Sequence, residues 1–151
     1  MVRRDFHYLV EWERKNNTML IDSIKKHEGF KTTPYRCTGG KLTIGYGRNL
    51  DSIGVSEEEA TFLLNNDIIK ANEAFDSIFI GIDIPIKIKE VFVEMIFQLG
   101  PNGFIKFKKM IKAAKEGDYK KVSIEMMDSL WAIQTPRRAR ELREIVEGGR
   151  D

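Results

Sequence analysis

Apolar residues change their spacing within the first third of the chain. The apolar residues just before Glu28 follow helical spacing, which predicts a helix from about Met19 to His27. From Leu42 to Gly47 they alternate with polar or small residues, as in a strand. Between these segments, Gly29 suits a helix C-terminus, Pro34 interrupts a connection, and Gly39-Gly40 suits a tight hairpin turn. The pattern therefore predicts a helix whose end faces a hairpin.

Helical spacing dominates the rest of the chain. After a turn-rich loop at Arg48–Gly54, Ser56 and Glu59 form a capping box that predicts a helix to about Phe75, with a face made by Ala60, Leu63, Leu64, Ile68 and Ala71. A connection or short helix follows at Asp76–Pro85.

A largely buried helix is predicted at Ile86–Leu99, and Gly100-Pro101-Asn102-Gly103 is expected to end it. Three further helices are predicted at about Phe107–Lys115, Asp118–Ala132 and Pro136–Val146, the last with Thr135 as its N-cap. Residues 2–16 have a rough amphipathic pattern that predicts a short extra helix, either a packing extension or an arm that binds the substrate or a partner.

Composition narrows the class of protein. With 42% hydrophobic and 32% charged residues among 151, the chain has the composition of a soluble globular protein. A net charge of +2 is too small to establish a polyanionic partner. The single cysteine, Cys37, excludes an intramolecular disulfide, and neither His7 nor His27 stands at a metal-ligand spacing from it, so no metal or cofactor is expected. No apolar run is long enough for membrane insertion, and the N-terminus has no export signal.

Three residues around the hairpin have side chains that suit acid–base chemistry. Glu28, at the predicted helix end, is a candidate general acid or an ordinary solvated carboxylate. Cys37 is a candidate base or nucleophile, which nearby Arg36 and Lys41 would favour as thiolate, or a small buried apolar group. Thr43 is a water-positioning hydroxyl or a strand residue chosen for β-propensity.

These three residues fit a family pattern: a Glu, eight residues, an Asp or Cys, five residues, then a Thr. Tyr35 and the runs Thr43–Gly47, Phe97–Gly100 and Trp131–Pro136 extend the match. In these blocks, the chain from about Leu20 to Val146 resembles the phage-type lysozymes, or endolysins.

The resemblance implies an α+β, mostly helical, lysozyme-like fold. Residues 1–19 would be a helical extension, 20–75 an N-terminal catalytic lobe with a β-hairpin and a long connecting helix, and 76–151 a helical C-terminal lobe. The substrate cleft would lie between the lobes.

The resemblance also implies roles for individual residues. Glu28, Cys37 and Thr43 would be catalytic, while Tyr35, Phe97, Gln98 and Arg138 would bind substrate, Arg138 by pairing with Glu28. Trp131 and Gln134 would occupy packing and polar positions beneath the cleft. Arg48 departs from the family's best-known member, which has histidine there, so the ion pair built on that histidine is not expected.

The implied activity is hydrolysis of the β-1,4 bond between N-acetylmuramic acid and N-acetylglucosamine in peptidoglycan, causing host lysis. A lytic transglycosylase is the close alternative, because it needs only one acid/base group. A non-catalytic helical module is a third; nucleic-acid binding by Arg137–Arg143 is disfavoured by interspersed acids and the lack of an aromatic platform. The expected partner is the glycan strand of the wall, bound by a monomer made in the host cytoplasm and released through a phage holin.

Overall fold

The computed structural model describes residues 18–149, which form two units of the chain. One unit ends at Phe62 and the other begins at Leu63. The extra helix predicted for residues 2–16 lies outside the described residues.

The described residues form seven helices and a small three-stranded sheet, which confirms the α+β, mostly helical class. In chain order the elements are α1 Thr18–Glu28, β1 Lys31–Arg36, β2 Leu42–Gly45, β3 Arg48–Asn49, α2 Glu57–Ile78, α3 Ile86–Phe104, α4 Lys108–Lys115, α5 Tyr119–Met127, α6 Leu130–Gln134 and α7 Pro136–Gly148.

The first unit places the end of α1 next to the sheet. The predicted helix is confirmed, and it ends because Gly29 adopts a φ of +69°, a conformation that glycine takes without steric cost. The Gly29 N–H donates to the carbonyl of Lys25 at 2.9 Å, which satisfies one of the last helical carbonyls.

The sheet is antiparallel, with β2 between β1 and β3. The prediction of a connection around Pro34 was wrong, since Lys31–Arg36 is a strand. Pro34 fits there because β1 is an edge strand whose pairing register shifts between Lys31 and Tyr35, so a missing N–H is tolerated. The loop predicted from Arg48 begins instead with the two residues of β3.

The long helix α2 begins with the predicted capping box. The Glu59 N–H donates to Ser56 Oγ at 3.1 Å, and the Ser56 N–H donates to Glu59 Oε1 at 3.0 Å. The helix continues to Ile78, three residues beyond the predicted end. Its apolar face is buried only towards its end, at Ala71 and Phe75; Ala60, Leu63, Leu64 and Ile68 are exposed.

The core of the second unit forms around α3, as predicted. Five residues at helical spacing within the predicted range Ile86–Leu99 are buried: Ile88, Val91, Phe92, Met95 and Ile96. The Phe92 ring stacks on Phe79 at 5.3 Å and meets Phe104 edge-on at 5.6 Å, geometries that aromatic pairs favour.

Two predicted helix boundaries were wrong. α3 does not end at Gly100 but kinks there, where φ is 73° and ψ is 162°, and then resumes at Pro101. The single helix predicted over Asp118–Ala132 is divided between α5 and α6, because Ser129 begins a new helix by accepting the Ala132 N–H at 3.1 Å.

The start of α7 is confirmed, with Thr135 at the N-cap position and Pro136 as the first helical residue. The Thr135 side chain makes no capping hydrogen bond; its hydroxyl donates to the Trp131 carbonyl at 2.9 Å.

Candidate active site

Glu28, the last residue of α1, holds its carboxylate against the backbone of Gly47. A Cβ placed on Gly47 would stand 2.7 Å from Glu28 Oε2 and 2.9 Å from its carboxyl carbon, so only glycine leaves this space open. The Glu28 side chain is exposed, and among the described residues of its own unit it has no hydrogen-bond or ion-pair partner. Neither carboxylate oxygen is therefore committed to a described residue of this unit.

Aromatic contacts hold the hairpin in this position. The rings of Phe30 and Tyr46 lie 5.2 Å apart, and Lys25 Nζ lies 5.4 Å from the centre of the Tyr46 ring. These contacts join residues on both sides of Glu28 to the residue before Gly47. The close approach of Glu28 to Gly47 thus follows from packing on either side of it.

Cys37 occupies the tight turn between β1 and β2. The Gly40 N–H donates to the Cys37 carbonyl at 2.8 Å, and the Cys37 N–H donates to the Lys41 carbonyl at 3.0 Å. The thiol is partly exposed. Backbone N–H groups of Lys41 and then Gly39 lower the pKa of Cys37, with a smaller contribution from the Thr43 hydroxyl, so this turn favours the thiolate.

Thr43 lies in β2 at the centre of the sheet and is only 4% exposed. It pairs with Tyr35 on β1 and with Asn49 on β3. Its hydroxyl donates to the Lys41 carbonyl at 2.9 Å. Because a hydroxyl has one proton, Thr43 must turn away from this carbonyl to donate to a Cys37 thiolate, whereas its oxygen can accept from a water without turning.

The first unit therefore brings three of its predicted site residues together around the hairpin turn. Cys37 interacts with Thr43, and Tyr35 is the strand partner of Thr43. Glu28 reaches the other end of the hairpin, at Gly47. The catalytic roles assigned to Glu28, Cys37 and Thr43 stay predictions.

Phe97 and Arg138, predicted to bind substrate, line the same groove of about 590 Å³ in the second unit. Phe97 is 42% exposed on this surface. Arg138 Nε lies 3.7 Å from Glu94 Oε2, an ion pair within the unit. Glu94 is thus the carboxylate beside Arg138 within this unit, and the pairing of Arg138 with Glu28 that the resemblance implies stays a prediction.

Gln98 holds Trp131 in place. Trp131 is 4% exposed, and its indole N–H donates to Gln98 Oε1 at 2.9 Å. Since an indole nitrogen only donates, the amide oxygen of Gln98 must face it, and the amide NH2 group points elsewhere. Trp131 is buried, as a packing role requires, and the polar residue Gln134 is exposed; their position beneath the cleft stays a prediction.

Two contributors to the first unit were not predicted. Arg48 Nη1 donates to Glu59 Oε1 at 2.9 Å and to the Gly54 carbonyl at 3.1 Å, which ties β3 to the start of α2. Hydrogen bonds from Arg48 and then from the Ser56 backbone lower the pKa of Glu59 to about 2. The second contributor is Gly47. The sequence signal for it is a glycine within an alternating strand pattern, which often marks a place where another group approaches the backbone closely.

Within residues 18–149, no cluster of three or more His, Cys, Asp or Glu side chains could hold a metal ion. No helix in that part of the chain has the length and apolar character needed to span a membrane.

The fold and the hairpin residues define a lysozyme-like α+β protein. The sequence profile of the Phage lysozyme family matches residues 25–143, so the chain belongs to that family.

Curated relatives agree with this assignment at low identity. The chain is 27% identical over 162 residues to Probable T4-type lysozyme 2 of Dictyostelium discoideum, covering 86% of this chain and 94% of the relative. It is 28% identical over 109 residues to the Endolysin of Acyrthosiphon pisum secondary endosymbiont phage 1, covering 69% and 72%. The Pre-baseplate central spike protein Gp5 of Enterobacteria phage T4 is 26% identical over 165 residues, which are 88% of this chain but 28% of that protein.

Proposed function

We propose that the protein is a lysozyme that hydrolyses the β-1,4 bond between N-acetylmuramic acid and N-acetylglucosamine in peptidoglycan. The observation that carries this proposal is the Glu28 carboxylate, which lies against Gly47 with neither oxygen paired to a described residue of its unit. Family membership and the lysozyme and endolysin relatives support a glycoside hydrolase.

Glu28 is the general acid in this proposal. It must hold a proton and deliver it to the glycosidic oxygen as the bond to the sugar breaks. In the free protein the side chain is exposed. A bound sugar that excludes water from the Gly47 side would disfavour the charged carboxylate and so favour the neutral acid.

Cys37 and Thr43 handle the attacking water. The Cys37 thiolate accepts a proton from water as the water oxygen bonds to the anomeric carbon from the opposite face, while Glu28 protonates the leaving oxygen. This displacement gives net inversion. The backbone N–H groups that lower the pKa of Cys37 support this role, because a neutral thiol is a poor base.

Substrate contacts are proposed for four further residues: Tyr35 beside Thr43, and Phe97, Gln98 and Arg138 in the second unit. The protein would act as a monomer on the cell wall after release from the host cytoplasm through a phage holin, and so cause lysis.

The decisive experiment replaces the proposed acid while keeping its shape. Glu28→Gln should abolish the clearing of a cell-wall suspension, because an amide cannot donate a proton to the leaving oxygen. Circular dichroism and thermal unfolding should match those of the wild type. Undiminished clearing by Glu28→Gln would overturn the proposal, and wild-type protein that binds walls without clearing them would indicate a non-catalytic module.

A second candidate function is a lytic transglycosylase, which the thiol at position 37 favours over a carboxylate-assisted hydrolysis. A lytic transglycosylase uses the 6-hydroxyl of N-acetylmuramic acid as the nucleophile and needs only one acid/base group, so Cys37 would be dispensable. Mass spectrometry of digested wall separates the two reactions: hydrolysis gives reducing ends, whereas transglycosylation gives 1,6-anhydro ends.

A further inference from the structure

Positive charge is concentrated in one short segment of the second unit. Between residues 105 and 121 there are seven lysines and two acids, Glu116 and Asp118, for a net charge of +5, whereas the whole chain carries only +2. The remainder of the chain is therefore net acidic. The lysines are Lys106, Lys108, Lys109, Lys112, Lys115, Lys120 and Lys121.

These lysines are not used to hold the fold together. All seven are exposed, and none forms an ion pair with another described residue. Of the two acids, Asp118 is already engaged as the N-cap of α5, where it accepts the Lys121 N–H at 3.1 Å. The positive charge of this segment is thus directed to solvent.

Three of the lysines lie on one side of α4. Lys108, Lys112 and Lys115 line a groove of about 480 Å³ together with Ile78, Ile105 and Ile111, and Glu116 also lines it. Their spacing of four and then three residues places them in a row about 10 Å long on a helix surface. We call the surface formed by these three lysines and three isoleucines the lysine groove.

We propose that the lysine groove is a second wall-binding surface, which holds the carboxylates of the peptide stems of peptidoglycan while the hairpin residues cut the glycan. This inference rests on the proposed lysozyme function, which supplies the polymer. Several carboxylates on one strand match a row of cations by charge. Lysine ammonium groups suit such contacts, because they attract anions without the fixed bidentate geometry that arginine provides.

The chemistry of the groove disfavours two other polyanions. No aromatic side chain lines it, so it offers no stacking platform for the bases of a single-stranded nucleic acid. The apolar face of α4 is used by the core, where Met110, Ala113 and Ala114 are buried, so it is not available for insertion into a bilayer.

The test measures binding separately from cleavage. In a Glu28→Gln background, K108Q/K112Q/K115Q should bind purified sacculi about tenfold more weakly at low salt, around 0.05 M, and this difference should shrink as salt is raised. Sacculi stripped of phosphate polymers with hydrofluoric acid should give the same result. K108R/K112R/K115R should restore binding, because it keeps the charge.

The matched control is K70Q/K87Q/R140Q, which removes the same charge from exposed positions elsewhere in the second unit and should bind within about twofold of the parent. An equal loss in the control, binding that disappears once phosphate polymers are removed, or an equal lysine dependence on anionic phospholipid vesicles would each overturn the inference. Cleavage of the same sacculi by the wild type tests the proposed lysozyme function independently. If the wild type cleaves and the lysine variant binds as well as its parent, only the inference about the lysine groove is wrong.

Discussion

The carboxylate of Glu28 and the backbone of Gly47 occupy adjoining space that no larger residue at position 47 would leave open. A Cβ on Gly47 would approach Glu28 Oε2 to 2.7 Å, well inside contact distance. Gly47 also has a φ of +82°, a region that residues with a Cβ rarely adopt. Position 47 therefore has both a backbone reason and a side-chain reason to be glycine, and only the second concerns the proposed acid, Glu28.

Gly47→Ala should lower wall hydrolysis by about 100-fold, because displacing the acid by about 1 Å can cost that much in rate. Alanine in the left-handed backbone conformation of position 47 should also lower the free energy of unfolding by about 1–2 kcal/mol. The measurements are the clearing rate of a wall suspension and the free energy of unfolding in urea.

Gly45→Ala is the matched control for this prediction. Gly45 has a φ of +68°, yet a Cβ there meets no atom within 4 Å. This variant should lose a similar amount of stability and keep most of its activity. Equal losses of activity in both variants would mean that backbone strain, and not the position of Glu28, explains the effect.

Substitutions at Cys37 should reveal a base with a thiol pKa. Cys37→Ala should lose nearly all hydrolysis, because no group remains to take a proton from the attacking water. Cys37→Asp should remain active and extend activity to lower pH, since an ordinary carboxyl loses its proton near pH 4 and a thiol near pH 8.5. The backbone N–H groups lower the pKa of the Cys37 thiol and so shift the activity of the wild type towards lower pH than an unperturbed thiol would allow.

The pH–rate profile of each Cys37 variant supplies the measurement, with thermal unfolding as a control for folding. A Cys37→Ala protein with near-normal turnover would remove the thiol from the mechanism. If that protein also released 1,6-anhydro ends, the transglycosylase would be favoured.

The Arg48–Glu59 pair should make the stability of the first unit depend on acid. The pKa of Glu59 is about 2 in the folded protein, against an ordinary value of 4.5. Its contribution to the free energy of unfolding is therefore complete above pH 4.5 and is lost as the pH falls towards 2. Both side chains are partly exposed, at 37% and 41%, which limits the effect to about 1 kcal/mol.

Glu59→Gln should flatten this pH dependence while keeping the capping box, because glutamine can still accept the Ser56 N–H. Urea midpoints between about pH 2 and pH 6 give the comparison. Glu58→Gln is the control, since Glu58 is an exposed acid in the same helical turn and forms no ion pair with a described residue. An unchanged slope in Glu59→Gln would show that the pair adds nothing to stability.

Patterns confined to a few neighbouring residues predicted their structures well. The capping box at Ser56 and the helix end at Gly29 are local, and both were confirmed. The buried face of α3 was also clear, because five core residues repeat at helical spacing. Local rules erred where a residue has two permitted roles: Pro34 can interrupt a connection or sit in an edge strand, and Ser129 can lie within a helix or begin one.

Contacts between residues that are far apart in the sequence had no comparable signal in the local sequence pattern. Nothing near Arg48 indicates that it pairs with Glu59, which the capping box already employs. Likewise, spacing associated Glu28 with Cys37 and Thr43, but the contact with Gly47 depends on how the helix end and the hairpin pack. The candidate site could therefore be predicted as a set of residues, but not as a geometry.

Gln98 should have separable structural and substrate-binding roles. Gln98→Leu leaves the Trp131 N–H without its partner in a nearly closed environment, which should cost about 1–3 kcal/mol of stability. Adding Trp131→Phe removes that donor, so the double variant should lose less than the sum of the two single losses. Urea unfolding of the four proteins measures this coupling, and additive losses would show that the hydrogen bond is energetically silent.

Gln98→Glu tests the other role, because a carboxylate can accept the Trp131 N–H but cannot donate as the amide NH2 group does. Most of the stability lost in Gln98→Leu should therefore return, while hydrolysis should remain low if the NH2 group donates to the glycan. KM should rise more than kcat falls, since a ground-state contact has been removed. Full activity in Gln98→Glu would show that Gln98 holds Trp131 in place and does not donate to the substrate.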